Sequence, residues 1–131
     1  MIKELSFTAI FNKEIPNSIP TTPGGFSFVR DVEGNSEVTF DFEDSETIVD
    51  GDKRHFTMRN LDTESFPESK HITPGMFDSI VEFSDIFVDL DDADDDVKVV
   101  AIEGMEVIFD GDIVVNVSRD LLDKYNNKYL S

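Results

Sequence analysis

Cysteine and tryptophan are both absent from this chain of 131 residues. Without cysteine, the chain can form neither a disulfide bond nor a thiolate metal site. Long apolar stretches are missing as well, since no run approaches the roughly 18 residues that a membrane-spanning helix needs. The N-terminal sequence MIKELSFTAIFNKEIP lacks the basic segment followed by an apolar segment that is typical of a secretory signal. These absences predict a soluble protein of the cytoplasm.

Positive charge is scarce in the sequence. The 11 Lys and Arg residues face 29 Asp and Glu residues, which gives a formal net charge of −18 at pH 7. A charge of this size repels nucleic acids and anionic membranes, and it attracts basic surfaces and cations. Two windows, residues 31–52 and 72–97, contain nine acids each and no Lys or Arg. We therefore expect a basic protein as the partner, and neither a membrane nor a nucleic acid in direct contact.

The apolar residues predict a folded domain built mainly of β-strands. They make up 39% of the chain and include 12 Phe residues. Because they are spread along the whole length, we expect one globular domain over residues 1–131. In the segment KELSFTAIF, apolar side chains alternate with polar ones, which is the pattern of a half-buried strand. Residues 25–34 and 37–43 show further strand patterns, with a turn between them.

Glycines at three places predict turns between strands. Asp50-Gly51 and Asp110-Gly111 each indicate a hairpin, because Gly adopts the positive φ that tight turns need. Gly104 predicts another turn within a segment rich in β-branched residues. The resulting fold class is α+β, a mainly antiparallel sheet of hairpins.

The exceptions to the strand pattern are one loop and two helices. Residues 12–25 contain three prolines and two glycines, which predict an ordered surface loop. Residues 75–83 predict a short helix that runs into a strand. The segment SRDLLDKYNNKYL predicts a C-terminal helix with Ser118 as N-cap. Its apolar residues recur at helical spacing, at Leu121, Leu122, Tyr125 and Tyr129.

Three pairs of short segments resemble each other and occur in the same order in both halves of the chain. TPGGFSFV resembles TPGMFDSI, EVTFDFEDSE resembles DIFVDLDDAD, and IVDGD resembles IFDGD. The similarity predicts an internal pseudo-repeat. The alternative is chance, since Asp, Val and Phe are abundant and the three offsets differ.

The segment DIFVDLDDADDD, residues 85–96, combines seven carboxylates with alternating apolar residues. On a strand, alternate side chains point to the same face at spacings of about 6.6 Å, so the apolar residues face the core and the acids face outward. The inward set is Ile86, Val88 and Leu90, and the outward set is Asp85, Asp89 and Asp91. Phe87 is an apolar residue on the outward face. The segment EVTFDFE alternates in the same way and predicts a second outward row of Glu37, Asp41 and Glu43.

These two acidic segments, residues 37–46 and 85–96, are the predicted partner-binding site. Both continue into further acids beyond the alternating part. The candidate residues are Glu37, Asp41, Glu43, Asp44 and Glu46 in the first segment, and Asp85, Phe87, Asp89, Asp91, Asp92, Asp94, Asp95 and Asp96 in the second.

Calcium binding is the runner-up interpretation of the same acids. Asp92, Asp94, Asp96 and Glu103 match positions 1, 3, 5 and 12 of an EF-hand loop. Position 6, however, is Val97 where the loop needs Gly, and the following segment is rich in strand-forming residues where an EF-hand needs a helix. We therefore expect no bound metal and no other cofactor.

Catalytic signatures are missing from the sequence. The two histidines, His55 and His71, lie in unlike contexts, and no nucleophile, phosphate-loop or metalloprotease motif is present. Lys53, Arg54 and Arg59 form one compact basic group, which we expect to face an acidic neighbour rather than to bind phosphate. The sequence thus predicts a protein that is not an enzyme.

The net charge suggests what the acidic segments face. Duplex DNA carries one charge per about 1.7 Å, so the 18 net charges correspond to about 31 Å of duplex. A globule of this length has a diameter of about 36 Å, so its mean charge density approaches that of DNA. Small size, strong acidity, absence of cysteine and a β-rich core resemble phage-encoded inhibitors of restriction or CRISPR nucleases.

This resemblance, which lies in composition and size, implies a nucleic-acid mimic that occupies the basic channel of a nuclease in the host cytoplasm. An immunity protein that neutralises a basic toxin has the same acidity and size. A third alternative is a domain whose acidity serves only solubility or adaptation to salt.

Overall fold

The computed structural model of the protein describes residues 1–34, 36–91 and 95–130. These residues form eight β-strands, one α-helix and shorter helical turns. The strands are β1 (Ile2–Phe11), β2 (Thr21–Arg30), β3 (Glu37–Phe40), β4 (Phe42–Asp50), β5 (Lys53–Leu61), β6 (Ile80–Leu90), β7 (Val99–Phe109) and β8 (Ile113–Asn116). The helical elements are two 3-10 helices, Pro67–His71 and Pro74–Ser79, the helix α1 (Arg119–Tyr125) and a π-helical turn, Asn126–Leu130. No helix in the described part of the chain is long and apolar enough to cross a membrane.

The strands form two antiparallel sheets. The larger sheet has the order β4-β5-β1-β7-β8, and the smaller sheet has the order β3-β2-β6. Three hairpins, β2–β3, β4–β5 and β7–β8, join neighbouring strands. The predicted fold class, mainly antiparallel β with a C-terminal helix, is confirmed.

The two sheets enclose a core rich in phenylalanine. In β1 the predicted alternation is confirmed, since Leu5, Phe7, Ala9 and Phe11 are at most 1% exposed. The ring of Phe7 meets the ring of Phe26 from β2 edge to face, with the centroids 5.7 Å apart. Full burial of a side chain of this size stabilises a fold by about 1.5–3 kcal/mol. Burial of aromatic side chains is therefore a main cause of the contact between the sheets.

The two predicted hairpin turns are confirmed, and the third predicted turn is wrong. Gly51 and Gly111 both have positive φ, at 61° and 82°, in the turns before β5 and β8. Gly104 also has positive φ, at 64°, but it lies inside β7. There the pairing with β1 shifts by one residue between Glu103 and Glu106, because one extra residue of β7 forms a β-bulge.

The predicted loop over residues 12–25 is shorter than expected, because β2 already begins at Thr21 and includes Pro23. Proline lacks the N–H that a central strand donates, so it is found where one side of a strand has no partner. β3 pairs only with Phe26–Val29 of β2, so Pro23 lies beyond that pairing. β2 can therefore contain a proline without losing a hydrogen bond to β3.

Both predicted helices have counterparts in the structure. The short helix expected over residues 75–83 is the 3-10 helix Pro74–Ser79, and β6 begins directly after it. At the start of α1, the Ser118 hydroxyl accepts a hydrogen bond from the Asp120 N–H at 3.2 Å, as an N-cap does. Tyr125 is 6% exposed and Leu122 is 3% exposed, so α1 packs on the core.

The predicted pseudo-repeat is not reproduced in the fold. TPGGFSFV belongs to β2, whereas the similar TPGMFDSI lies mostly in a 3-10 helix. The segment EVTFDFEDSE is divided between two sheets, whereas DIFVDL lies in the single strand β6. Only IVDGD and IFDGD occupy equivalent places, each at the turn of a hairpin in the larger sheet.

Candidate functional site

The strand β6 displays the outward row of acids that its sequence predicts. Asp85 and Asp89 are exposed on the outer face of the smaller sheet, which is the face turned away from the core, and Ile86 between them is 5% exposed. Asp91, just beyond the strand, is exposed as well. From the rise of a strand, the Asp85 and Asp89 positions are about 13 Å apart. We call Asp85, Phe87, Asp89 and Asp91 the β6 row.

Phe87 lies within this row and is 50% exposed. Its ring lies against Gly24 of β2, where a Cβ atom would overlap the Cδ1 atom of Phe87. Opposite Phe87 the pairing of β2 with β6 skips from Pro23 to Phe26, so two glycines face one phenylalanine. Gly24 thus allows the ring to lie across β2, which leaves its other side open to solvent.

The carboxylates of the β6 row form no ion pair with another described residue. No Lys or Arg of that part of the chain lies within 4 Å of Asp85, Asp89 or Asp91. Across the outer face, the partners of Asp85 and Asp89 on β2 are Ser27 and Thr22, which are uncharged. Within the described residues, no ion pair therefore offsets the charge of this row.

The outer face of the larger sheet differs from this arrangement. There Arg59 bridges Glu4 and Glu46, at 3.0 Å and 3.2 Å, and Lys53 lies 3.5 Å from Glu103. Exposed ion pairs of this kind contribute about 0–1 kcal/mol each to stability, but they reduce the local charge. The acids of this face are therefore partly neutralised by bases of the same sheet.

The second predicted row, Glu37, Asp41 and Glu43, is not formed. The chain leaves the smaller sheet after Phe40 and enters the larger sheet at Phe42. Both side chains pack against Phe26, with ring centroids 5.4 Å and 6.4 Å away. The chain therefore turns between the sheets at Asp41, and the alternation of a single strand is interrupted there.

The acids of the first segment consequently lie in different places. Glu37 lies on the outer face of the smaller sheet, in one row with Val29 and Glu82. Asp44 and Glu46 lie on the outer face of the larger sheet, and Glu43 is exposed in the same edge strand, β4.

Asp41 itself is half-buried at the point where the chain changes sheets. Burial raises the pKa of its carboxyl group, and the nearby Asp62 carboxylate raises that pKa further. The Phe42 N–H donates a hydrogen bond of 2.7 Å to the Asp41 side chain, which has the opposite effect. Asp41 is therefore a structural residue of the crossing rather than a member of an exposed row.

The remaining predicted acids follow β6 in the sequence. Asp95 and Asp96 are exposed, whereas Asp92 and Asp94 lie outside the described residues. The Asp96 carboxylate accepts a hydrogen bond from Lys13 Nζ at 2.9 Å, and this contact lowers the Asp96 pKa. Asp96 therefore has a cationic neighbour, unlike the acids of the β6 row.

The calcium-binding alternative does not fit the structure at Glu103, which matches position 12, the last position of the EF-hand loop. Glu103 lies in the middle of β7, and its carboxylate is 3.5 Å from Lys53 Nζ. An EF-hand needs a helix at this position. Over residues 1–34, 36–91 and 95–130, no group of three or more His, Asp or Glu side chains is arranged to hold a metal ion.

The predicted basic group is divided between the two faces of β5. Lys53 and Arg59 face outward to acids, as expected, but Arg54 is 2% exposed on the core side. Its guanidinium donates hydrogen bonds of 2.9–3.0 Å to the carbonyls of Ile19 and Pro16 and to the Thr21 hydroxyl; burial lowers its pKa. The alternation of side chains along β5 is the sequence signal for the burial of Arg54, since Arg54 shares its strand face with the buried Phe56 and Met58.

Tyr125, which the sequence predicts only as an apolar residue of the helix, and Asn126, which the sequence did not single out, connect the C-terminal helix to both sheets. The Tyr125 hydroxyl accepts a hydrogen bond from the Ile86 N–H at 3.1 Å and donates one to the Ile86 carbonyl at 3.2 Å. The Asn126 amide bonds the N–H and the carbonyl of Ile102 in β7, at 2.9 Å and 3.0 Å. Burial raises the pKa of Tyr125, which keeps the hydroxyl protonated.

A groove lies beside this contact, between β6 and the beginning of β7. Its volume is about 460 Å³. Its lining includes the side chains of Val88, Leu90, Val97, Val99, Tyr129 and Leu130, together with the cationic side chain of Lys98. Asp85 and Phe87 of the β6 row also border it, so the groove and the row form one continuous candidate site.

Comparison of the chain with protein-family models, curated proteins and solved structures found no match.

Proposed function

We propose that the protein is a non-catalytic acidic inhibitor that binds the basic nucleic-acid-binding surface of a nuclease or of another DNA- or RNA-handling protein. In this proposal the carboxylates take the place of phosphates, so the protein is a nucleic-acid mimic of the anti-restriction or anti-CRISPR kind. The observation that carries the proposal is the β6 row. Two of its acids are exposed on an ordered strand and the third directly after it, and none forms an ion pair with another described residue.

The spacing of the row suits the recognition of separate cations. Asp85 and Asp89 are about 13 Å apart along the strand, which exceeds the Debye length of about 10 Å at 0.1 M salt. The two carboxylates therefore repel each other little in solution. Each can nevertheless pair with its own Arg or Lys on a partner, and an ordered strand loses less conformational entropy on binding than a disordered acidic tail.

Phe87 adds an apolar contact that a row of charges alone lacks. Its exposed ring lies between two carboxylates on the same strand face. An Arg side chain that pairs with Asp85 or Asp89 can place its guanidinium over this ring. Aromatic residues at the centre of an interface commonly carry much of the binding free energy, so Phe87 supports specific binding as well as charge attraction.

The net charge of the whole protein supports fast association with such a partner. A charge of −18 steers basic proteins toward the molecule over several ångströms. Steering alone is not specific, and it weakens as salt is added. The proposal therefore assigns attraction to the total charge and specificity to the β6 row.

A retention experiment with two charge-matched variants tests the proposal. The row variant carries Asp85→Asn, Asp89→Asn and Asp91→Asn. The control variant carries Glu64→Gln, Glu68→Gln and Asp78→Asn, which are exposed acids outside both acidic segments. Each variant loses three negative charges, so long-range attraction falls equally. Wild type and both variants are immobilised, exposed to a lysate of the host or source cell, and eluted with duplex DNA or RNA.

We expect wild type and the control variant to retain basic nucleic-acid-binding proteins that duplex DNA or RNA releases. Close charge pairs across an interface contribute upward of about 1.5 kcal/mol each, so losing two of them weakens binding by at least about a hundredfold. The row variant should therefore lose these proteins. Equal retention by all three proteins, or no release by nucleic acid, would contradict the proposal. A retained basic toxin that nucleic acid does not release would indicate an immunity protein instead.

A further inference from the structure

β6 and the first half of β7 each present a free strand edge where the two sheets diverge. β6 is an edge strand of the smaller sheet, and β8 pairs only with Glu106–Phe109 of β7. Tyr125 and Asn126 close part of this gap. Each side chain bonds both the N–H and the carbonyl of one residue, Ile86 in β6 and Ile102 in β7. These two side chains thus take the place that a neighbouring strand would have.

The hydrogen bonds also show which main-chain groups of β6 point away from β2. Those of Ile86 point to the helix, whereas the Asp91 N–H donates to the Pro20 carbonyl on the β2 side at 3.2 Å. The N–H and carbonyl of successive residues point to opposite edges of a strand. The contacts of Ile86 and Asp91 therefore both place the N–H and carbonyl groups of Val88 and Leu90 on the free edge. Among the described residues, β6 pairs only with β2, and the side-chain hydrogen bonds to its main chain are those at Val81 and Ile86.

The free edge opens into the groove described above. One wall of the groove is the edge of β6. The others include apolar side chains of β7 and of the C-terminal turn, such as Val99 and Leu130, and Lys98 at the rim. A space of 460 Å³ is within the range of about 300–1,000 Å³ that ligand sites occupy. Main-chain groups without a partner beside an apolar groove are the features by which a protein binds an extended peptide.

We propose that this groove binds an extended basic segment of the partner, which adds to β6 as a fourth strand of the smaller sheet. The inference rests on the proposed function, because the partner is the basic protein described there. The main-chain groups of Val88 and Leu90 offer up to four hydrogen bonds to the added strand. Its register along β6 places it beside the acidic row.

The alternation of strand side chains defines the sequence of the bound segment. On an added strand, successive side chains point to opposite faces. One set enters the apolar groove, and the other set joins the outer face next to Asp85 and Asp89. Charge complementarity makes the outer set basic, so the segment alternates Lys or Arg with apolar residues. A second copy of this chain is a poor occupant, because both copies carry a charge of −18 and repel each other.

Binding of synthetic peptides tests the groove directly. The probe is an end-blocked, fluorescently labelled peptide in which Lys and Val alternate. Its control has the same composition, with all Lys residues before all Val residues, so charge is equal but the alternation is lost. Fluorescence anisotropy gives the affinities. We expect the alternating peptide to bind at least about tenfold more tightly, and equal binding of both peptides would overturn the proposal, as would the absence of binding.

Val88→Pro removes one main-chain donor from the free edge and leaves every carboxylate in place. Proline is tolerated where the N–H of an edge strand faces solvent, and Val88→Ile is the control that keeps the N–H. We expect Val88→Pro to weaken binding of the alternating peptide by at least about tenfold and Val88→Ile to have little effect. Unchanged affinity of Val88→Pro would overturn the proposal.

Amide hydrogen exchange in the wild type supplies a second measurement that needs no variant. We expect the amides of Val88 and Leu90 to exchange rapidly in the free protein and to be protected when the alternating peptide binds. Rapid exchange in the bound protein would overturn the proposal. If Val88→Pro still retains the lysate proteins that the row variant loses, the groove is refuted and the proposed function stands. If the peptide binds but nucleic acid does not release the retained proteins, the proposed function is refuted and the peptide-binding groove stands.

Discussion

Replacing Tyr125 with Phe tests whether the C-terminal helix fastens β6 through a single hydroxyl group. The substitution removes the two hydrogen bonds between Tyr125 and the main chain of Ile86. Each such bond contributes about 0.5–1.5 kcal/mol, and a buried polar group left without a partner costs about 1–3 kcal/mol. Ile86 is 5% exposed, so water replaces the hydroxyl poorly. The free energy of unfolding should therefore fall by about 2–3 kcal/mol.

This loss corresponds to a measurable change in the unfolding temperature. At about 2.1 cal/mol/K per residue, the unfolding entropy of a chain of 131 residues is about 275 cal/mol/K. A loss of 2–3 kcal/mol then lowers Tm by about 7–11 °C. Circular dichroism during heating measures Tm, and amide exchange at Ile86 measures the local effect, which we expect as faster exchange.

Tyr129→Phe is the matched control for this prediction. Tyr129 is 45% exposed and its ring lies 4.9 Å from that of Tyr125, so the control removes a hydroxyl from the same helical segment. We expect a change within about 0.5 kcal/mol, as for most surface substitutions. Equal Tm values for the two variants, or unchanged amide exchange at Ile86 in Tyr125→Phe, would refute the conclusion that the Tyr125 hydroxyl stabilises the contact between helix and sheet.

Three further predictions concern the stability of the fold. Arg54→Met removes three hydrogen bonds of a buried guanidinium and should lower the free energy of unfolding by about 2–4 kcal/mol. Lys53→Met, which breaks only an exposed ion pair, should cost less than about 1 kcal/mol; equal urea midpoints would contradict this. Because burial raises the pKa of Asp41, its ionised form destabilises the fold above that pKa. Asp41→Asn should thus unfold at a higher temperature than wild type at pH 7, with the difference vanishing below the ordinary Asp pKa of about 3.9; a difference independent of pH would refute it. Finally, raising NaCl to about 0.5 M should increase Tm, since salt screens the repulsion of the 18 net charges. A lower Tm in salt would show that ion pairs outweigh this repulsion.

The β6 row shows how far local sequence can predict a site. Alternation of apolar and acidic residues was enough to place Asp85 and Asp89 outward and Ile86 inward, because side chains on a strand change face at every residue. The same rule failed for Glu37, Asp41 and Glu43. It holds only while the chain stays in one sheet, and the packing of Phe40 and Phe42 against the core directs the chain from one sheet to the other.

Contacts between distant residues account for what sequence patterns missed. Tyr125 and Ile86 are 39 residues apart, and Asn126 and Ile102 are 24 residues apart. Neither pair leaves a periodic signal, since one partner contributes only main-chain groups. The predicted turn at Gly104 failed for a related reason. A glycine with positive φ fits a turn and a β-bulge equally well, and only the pairing with β1 distinguishes the two.

The sequence by itself determined the strand content, the hairpin turns, the C-terminal helix with its N-cap and the strongly negative charge, because each depends on residues close together in the chain. The tertiary structure alone decided which acids form ion pairs. Pairing of strands brings Arg59 to Glu4 and Glu46 and leaves Asp85 and Asp89 beside Ser27 and Thr22. Whether a carboxylate is neutralised depends on the strand that lies next to it, and the order of strands in a sheet is a property of the folded chain.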